Sequence, residues 1–188
     1  TFNPNNGNLF SGNTVDTAFG RPIDTFRMRD EAERIARISN APLYNRAYAH
    51  PDAQNIWDDS IGRMLNTNEG KAALQWADNE SRKAAVDAGR SAPKNPFQID
   101  DQGNVALKPG ETGAPLEFLD WVKRGLNKVY EEQSSTATGP RDPARKTTQD
   151  MIESYTNLLK NTVPPYSDAL SSAGKFLRGN NAFEAGLN

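Results

Sequence analysis

Apolar residues return at helical spacing through most of this chain. The widest such run is PLEFLDWVKRGLNKVYEEQ, residues 115–133. It carries Leu116, Phe118, Leu119, Trp121, Val122, Leu126, Val129 and Tyr130 within about five turns. These positions cover about half of a helical wheel, and Glu117, Asp120, Arg124, Asn127, Lys128 and Glu131 take the other half. A stripe that broad predicts a central helix touching two neighbours and keeping one wet face. Asp120 and Arg124 stand four residues apart in the order that favours an ion pair on that face.

Weaker stripes flank it. In DTFRMRDEAERIARIS, Phe26, Met28, Ala32, Ile35, Ala36 and Ile38 predict a helix from about Asp24, which Asn40-Ala41-Pro42 should break. PLYNRAYA predicts a short second helix opened by Pro42 and stopped at His50-Pro51. Ile56, Trp57, Ile61, Met64 and Leu65 predict a third, near residues 53–65. Thr67-Asn68-Glu69 starts a fourth, whose face of Ala73, Ala77, Ala84 and Ala88 allows close approach, with Gly89 as its stop. Then FQI and VAL alternate on either side of DDQGN and predict a β-hairpin near residues 95–110. Beyond a polar linker at 134–145, Met151, Ile152, Tyr155, Leu158 and Leu159 mark one helix. Tyr166, Ala169, Leu170, Ala173 and Leu177 mark another, opened by Val163-Pro164-Pro165.

The first 22 residues, rich in Asn and Gly, show no such period. They read as an extended arm, 1–22, ahead of a helical domain, 23–188. Leu9, Phe10 and Phe19 in the arm, with Phe183 and Leu187 in the tail, are the candidate anchors onto another surface. The sum is a mostly α protein: an irregular multi-helix bundle of about six helices with one small β-hairpin. A first residue other than Met and a tail without a clear closing element suggest a fragment or processed piece of a longer polypeptide, with simple removal of Met as the alternative.

Composition narrows the functional classes. The chain has 22 Lys and Arg against 24 Asp and Glu, which argues against a strongly electrostatic nucleic-acid or membrane binder. The best local basic patch is RKAAVDAGRSAPK, residues 82–94, which a solvated helix end explains equally well. With no cysteine there are no disulfides, no thiol chemistry and no thiolate zinc site. No apolar run is long enough to span a bilayer, and TFNPNNGNLF is not a signal peptide.

Candidate chemistry is sparse. His50 is the single histidine, and a loop or packing role is favoured over a base or ligand. Glu31, Asp58, Asp59, Glu69, Asp78 and Glu80 could supply the paired carboxylates of a glycosidase, but such acids lie on most solvated helix faces. NEGKAA lacks Walker spacing, and DDQGN lacks the glutamate of a calcium loop. Trp57, Trp76, Trp121 and the five tyrosines read as core rather than as stacking platforms. No catalytic, cofactor or metal residue is assigned.

Three segments carry a resemblance: RIARISNAPLYNRAYAHP, APLEFLDWVKRGLNKVYEE, and NTVPPYSDALSSAGKFLRGNNAFEAG. Together they resemble a helical module of large virion-associated proteins, internal or ejected, from tailed phages and prophages, chiefly of alphaproteobacteria. Its hallmarks match at Leu43–Tyr48, Leu119–Lys128 and Pro165–Ala169, and the likeness spans roughly residues 30 to 185. Trp121 stands where the module has an aromatic such as Tyr, and the arm lies outside the match. The resemblance implies a non-enzymatic structural or ejection role in the virion, with other virion proteins or further copies of the chain as partners. It carries over no catalytic residue. The rival readings are a carboxylate-dependent peptidoglycan hydrolase and a helical spacer for a delivered toxin. The resemblance also implies that the broad helix packs between the Tyr44/Tyr48 helix and the helix after Pro165.

Overall fold

The computed structural model describes residues 14–16, 22–24, 39–136 and 143–173. The chain divides into two units, one of Leu43–Leu170 and one of Thr1–Pro42 with Ser171–Asn188. In the second of these, β1 (Thr14–Asp16) pairs antiparallel with β2 (Pro22–Asp24), with Val15 opposite Ile23. This short ladder falls where the Asn-rich composition predicted only an irregular arm. The candidate anchors Leu9, Phe10, Phe19, Phe183 and Leu187, and the helix expected before residue 39, lie outside the described residues.

The Leu43–Leu170 unit is helical with one hairpin. Helix α1 is described through 39–48, so the short helix expected to open at Pro42 already includes Asn40 and Ala41. Just past its end His50 Nδ1 accepts from the Asp52 N–H at 3.3 Å and caps a single 3-10 turn, Pro51–Ala53. The expected helix over 53–65 therefore begins late. Ile56 instead exchanges two backbone hydrogen bonds with Ala114, at 2.8 and 2.9 Å, in an isolated bridge. Asp58 then caps α2 (Asp59–Leu65) by accepting from the Ser60 N–H at 2.7 Å.

Helix α3 (Asn68–Asp87) starts and stops where local signals place it. Thr67 accepts from the Gly70 N–H at 3.0 Å, and Gly89 follows the end at φ +63°. Its buried face is Gly70, Ala73, Leu74, Ala77, Ser81 and Ala85. Ala84 is only half-buried and Ala88 is exposed, so the small-residue face is rotated from the expected line at its C-terminal end.

Strand β3 (Phe97–Ile99) pairs antiparallel with β4 (Val105–Leu107), with Gln98 opposite Ala106. Asp100 shapes the turn: its Oδ1 accepts from the N–H groups of Gln102, 2.9 Å, and Asn104, 2.7 Å. Asn66, at the end of α2, fastens the hairpin. Its Oδ1 accepts from the Val105 N–H at 2.8 Å and its Nδ2 donates to the Val105 carbonyl at 3.0 Å. A lone two-stranded ribbon is marginal in water. Here the Phe97 ring is buried against Phe118, 6.1 Å between centroids, which ties the ribbon to the core.

Helix α4 (Leu116–Thr136) is the centre of the unit. Leu116, Phe118, Leu119, Val122 and Leu126 are fully buried, and the helix packs on α3 and on α5 (Pro143–Thr162). The close line with α3 is drawn at Gly125, where a methyl group would sit 2.5 Å from the Ala73 carbonyl oxygen. The linker expected over 134–145 is shorter, because Ser134–Thr136 still belongs to α4 and α5 already starts at Pro143. On α5, Tyr155 and Leu159 are buried and the Tyr155 hydroxyl donates to the Leu119 carbonyl at 3.0 Å. Helix α6, 164–173, follows buried Val163 and begins with two prolines, which suit a first turn. Among the described residues no helix is long and apolar enough to cross a membrane.

Candidate functional site

The polar feature that stands out lies inside the bundle. Asp120 on α4 is fully buried, although its wheel position assigned it to the wet face. A carboxylate this deep must be paired and hydrogen-bonded, because an isolated charge loses its hydration without return. Three donors converge on it. The Tyr48 hydroxyl, from the last turn of α1, donates to Oδ2 at 2.9 Å. The Tyr166 hydroxyl, from the first turn of α6, donates to Oδ1 through a short hydrogen bond. Arg124, one turn along α4, donates from its guanidinium to Oδ2 at 2.7 Å, as the four-residue spacing predicted. Tyr44 completes the surround, 5.9 Å from Tyr48 and edge-on to Tyr166 at 6.3 Å between ring centroids.

Electrostatics follow from this packing. Burial alone would push the Asp120 carboxyl up. The positive charges of Arg124 and Lys123 and the hydrogen bonds from Tyr166 and Tyr48 outweigh it and hold the group below the usual carboxylate range. Burial and then the Asp120 charge push both Tyr48 and Tyr166 well above an ordinary phenol. The same causes push Tyr44 up to about 12. Burial pulls Lys123 down, with Asp120 opposing. Each tyrosine thus keeps its proton and each hydrogen bond has a fixed donor. A general acid or base needs a group poised near the working pH and open to substrate. Asp120 is held charged, enclosed, and filled by three donors. The arrangement suits fastening helices rather than moving protons.

Position by position, this is where the three resembling segments meet. Leu43–Tyr48 contributes Tyr44 and Tyr48, Leu119–Lys128 contributes Asp120, Lys123 and Arg124, and Pro165–Ala169 contributes Tyr166. At this point α4 receives one tyrosine from α1 and one from α6, whose Tyr44 and Tyr166 rings also meet each other, and it packs on α3 and α5 besides.

The other candidates are spread apart. His50 is a cap. Asp58 caps α2, and Asp59 lies exposed in its first turn. Glu69 sits in the first turn of α3. Asp78 is held by Arg82 at 3.0 Å and accepts from Asn95 at 2.9 Å. Glu80 is 3.9 Å from Lys83, and Glu31 lies outside the described residues. Among the described residues no group of three or more His, Asp or Glu is placed to hold a metal ion. The basic patch is neutralised in detail, since Arg90 meets Glu117 and Lys94 meets Glu111, each at 2.6 Å, alongside the Arg82 and Lys83 pairs. The glycine of NEGKAA serves packing: a methyl at Gly70 would overlap the Met64 carbonyl.

The tryptophans are less enclosed than their spacing suggested, although Trp121 does pack against the core. Trp57 is 38% exposed and leans on Phe97, and Trp76 and Trp121 are half-buried against each other at 6.1 Å. The Arg124 guanidinium lies 4.6 Å over the Trp121 ring, so one face of Arg124 is spent on an indole and one edge on Asp120. What the periodicity missed is Asp120 itself. The available signal was an acid inside the unbroken string Phe118-Leu119-Asp120-Trp121-Val122.

Comparison with protein families, with curated proteins and with solved structures finds no match to this chain.

Proposed function

We propose that this chain is a non-enzymatic helical module of a tailed-phage virion protein of the internal or ejection type, acting through contacts with other virion proteins or with copies of itself. The observation that carries the reading is the convergence of the three resembling segments on one buried carboxylate. Tyr48 and Tyr166 of the outer segments donate to Asp120 of the middle one and so tie α1 and α6 to α4, while Arg124 pairs with that carboxylate from within α4. A module whose recognisable residues build architecture needs no reactive cleft to account for them.

The hydrolase alternative is less well supported. It needs two carboxylates facing each other across a substrate groove. Asp58 and Asp78 are taken up by a cap and by an ion pair, and Glu80 lies beside Lys83. The virion is the location that goes with the reading.

Mass spectrometry of purified virions from a host carrying this coding sequence tests it. Peptides covering residues 39–173, in several copies and within a long mature polypeptide, are the expected result. Peptides found only in cell lysate, with none in virions, would overturn the proposal.

A further inference from the structure

The chain enters the Leu43–Leu170 unit through α1 and leaves it through α6. These are the two helices whose tyrosines share Asp120, across sequence separations of 72 and 46 residues. The rings of Tyr44 and Tyr166 also touch beside the carboxylate. We infer that Asp120 is a shared latch: one carboxylate fastens both the entering and the leaving helix, so that α1 and α6 loosen together or not at all.

The physical reason is the cost of an unfilled acceptor. A buried polar network is stable when every member is satisfied, and withdrawing one donor leaves the charge underserved for all the others. If Tyr48 leaves, Asp120 must draw in water. Water reaching the carboxylate then competes with Tyr166 as well. Two apolar contacts would behave differently, because each could open without disturbing its neighbour. Among the described residues the two helices, far apart in sequence, meet at the carboxylate on α4 and at the Tyr44–Tyr166 ring contact, and these couple them. The coupling follows from the geometry of this unit and does not depend on a virion role.

Hydrogen exchange of the whole chain, read by mass spectrometry, tests the latch. Tyr48→Phe should speed exchange in α6 as well as in α1, and Tyr166→Phe should speed α1 as well as α6. The expected increase is roughly 10- to 150-fold, the factor carried by one hydrogen bond to a charged group. Helix α3, which gives nothing to the carboxylate, should keep its wild-type rates. Asp120→Asn should release both terminal helices in one step. If that variant does not fold, the two Phe variants decide alone. Either of two results would overturn the latch. In one, each Phe variant speeds only its own helix or neither. In the other, α3 speeds up along with the rest, which would make the effect global.

Discussion

Helix α4 is held on two sides by opposite means. Against α3 the closest approach is backbone to backbone, where Gly125 meets Ala73, beside the Trp76–Trp121 ring contact. Against α1 and α6 the surface is long side chains converging on a charge. The first side depends on shape, and any extra atom is a collision. The second depends on chemistry, and any missing atom leaves a charge exposed to the apolar interior. One helix thus combines a seam that tolerates no growth with a seam that tolerates no loss.

The largest effect is expected on the chemical side. Asp120→Ala leaves the Tyr48 and Tyr166 hydroxyls without their acceptor, at about 1–3 kcal/mol for each, and leaves the exposed Arg124 without its pair. Denaturant unfolding followed by circular dichroism measures it. A loss below that of the seam variant described next would show that the carboxylate is a passenger. On the shape side, Gly125→Ala forces a methyl toward the Ala73 carbonyl and should cost about 1–3 kcal/mol through overpacking. Here thermal unfolding is the check, and an unchanged midpoint would mean that the helices slide apart freely.

The gentlest probe is pH. The folded Asp120 carboxyl is held below its unfolded value, so its contribution is present above the unfolded pKa of about 3.9 and is lost as pH falls through the folded one. Stability should therefore decline on the acid side of pH 4 in wild type, and less steeply in Asp120→Asn. Equal acid slopes for the two proteins would place the acid-sensitive group elsewhere. On the alkaline side Tyr44 works in the opposite sense. With its pKa raised from 10.0 to about 12, its contribution is intact below 10 and is lost as pH rises through 12.

The same contrast explains what could be read from the sequence. The ends of α3, the turn at Asp100 and the hairpin register are decided by residues within a few positions of each other. Thr67, Gly89 and Gly103 therefore announce them. The apolar face of α4 is legible because its period is long and consistent. The late start of α2 was not, because Ile56 is drawn into a bridge with Ala114, far along the chain. Asp120 was illegible for a related reason. On a helical wheel an acid belongs to water, and only partners from residues 48 and 166 reverse that assignment. The tryptophans misled in the other direction, since helical spacing gives a residue's side of the helix but not how far the neighbouring helix extends to cover it. Even so, the three segments singled out by resemblance were those that meet at the clasp, although nothing in their periods indicated that they would share one atom group.

Asn66 has a consequence beyond fastening the hairpin. Its carboxamide faces the outward N–H and carbonyl of Val105 and satisfies both, as a neighbouring strand would. An unprotected strand edge is a template on which other chains can grow. A single side chain thus acts as a one-residue third strand, and an intruding strand on that side would first have to displace it. That is protection against fibril growth, supplied by the residue that also ends α2.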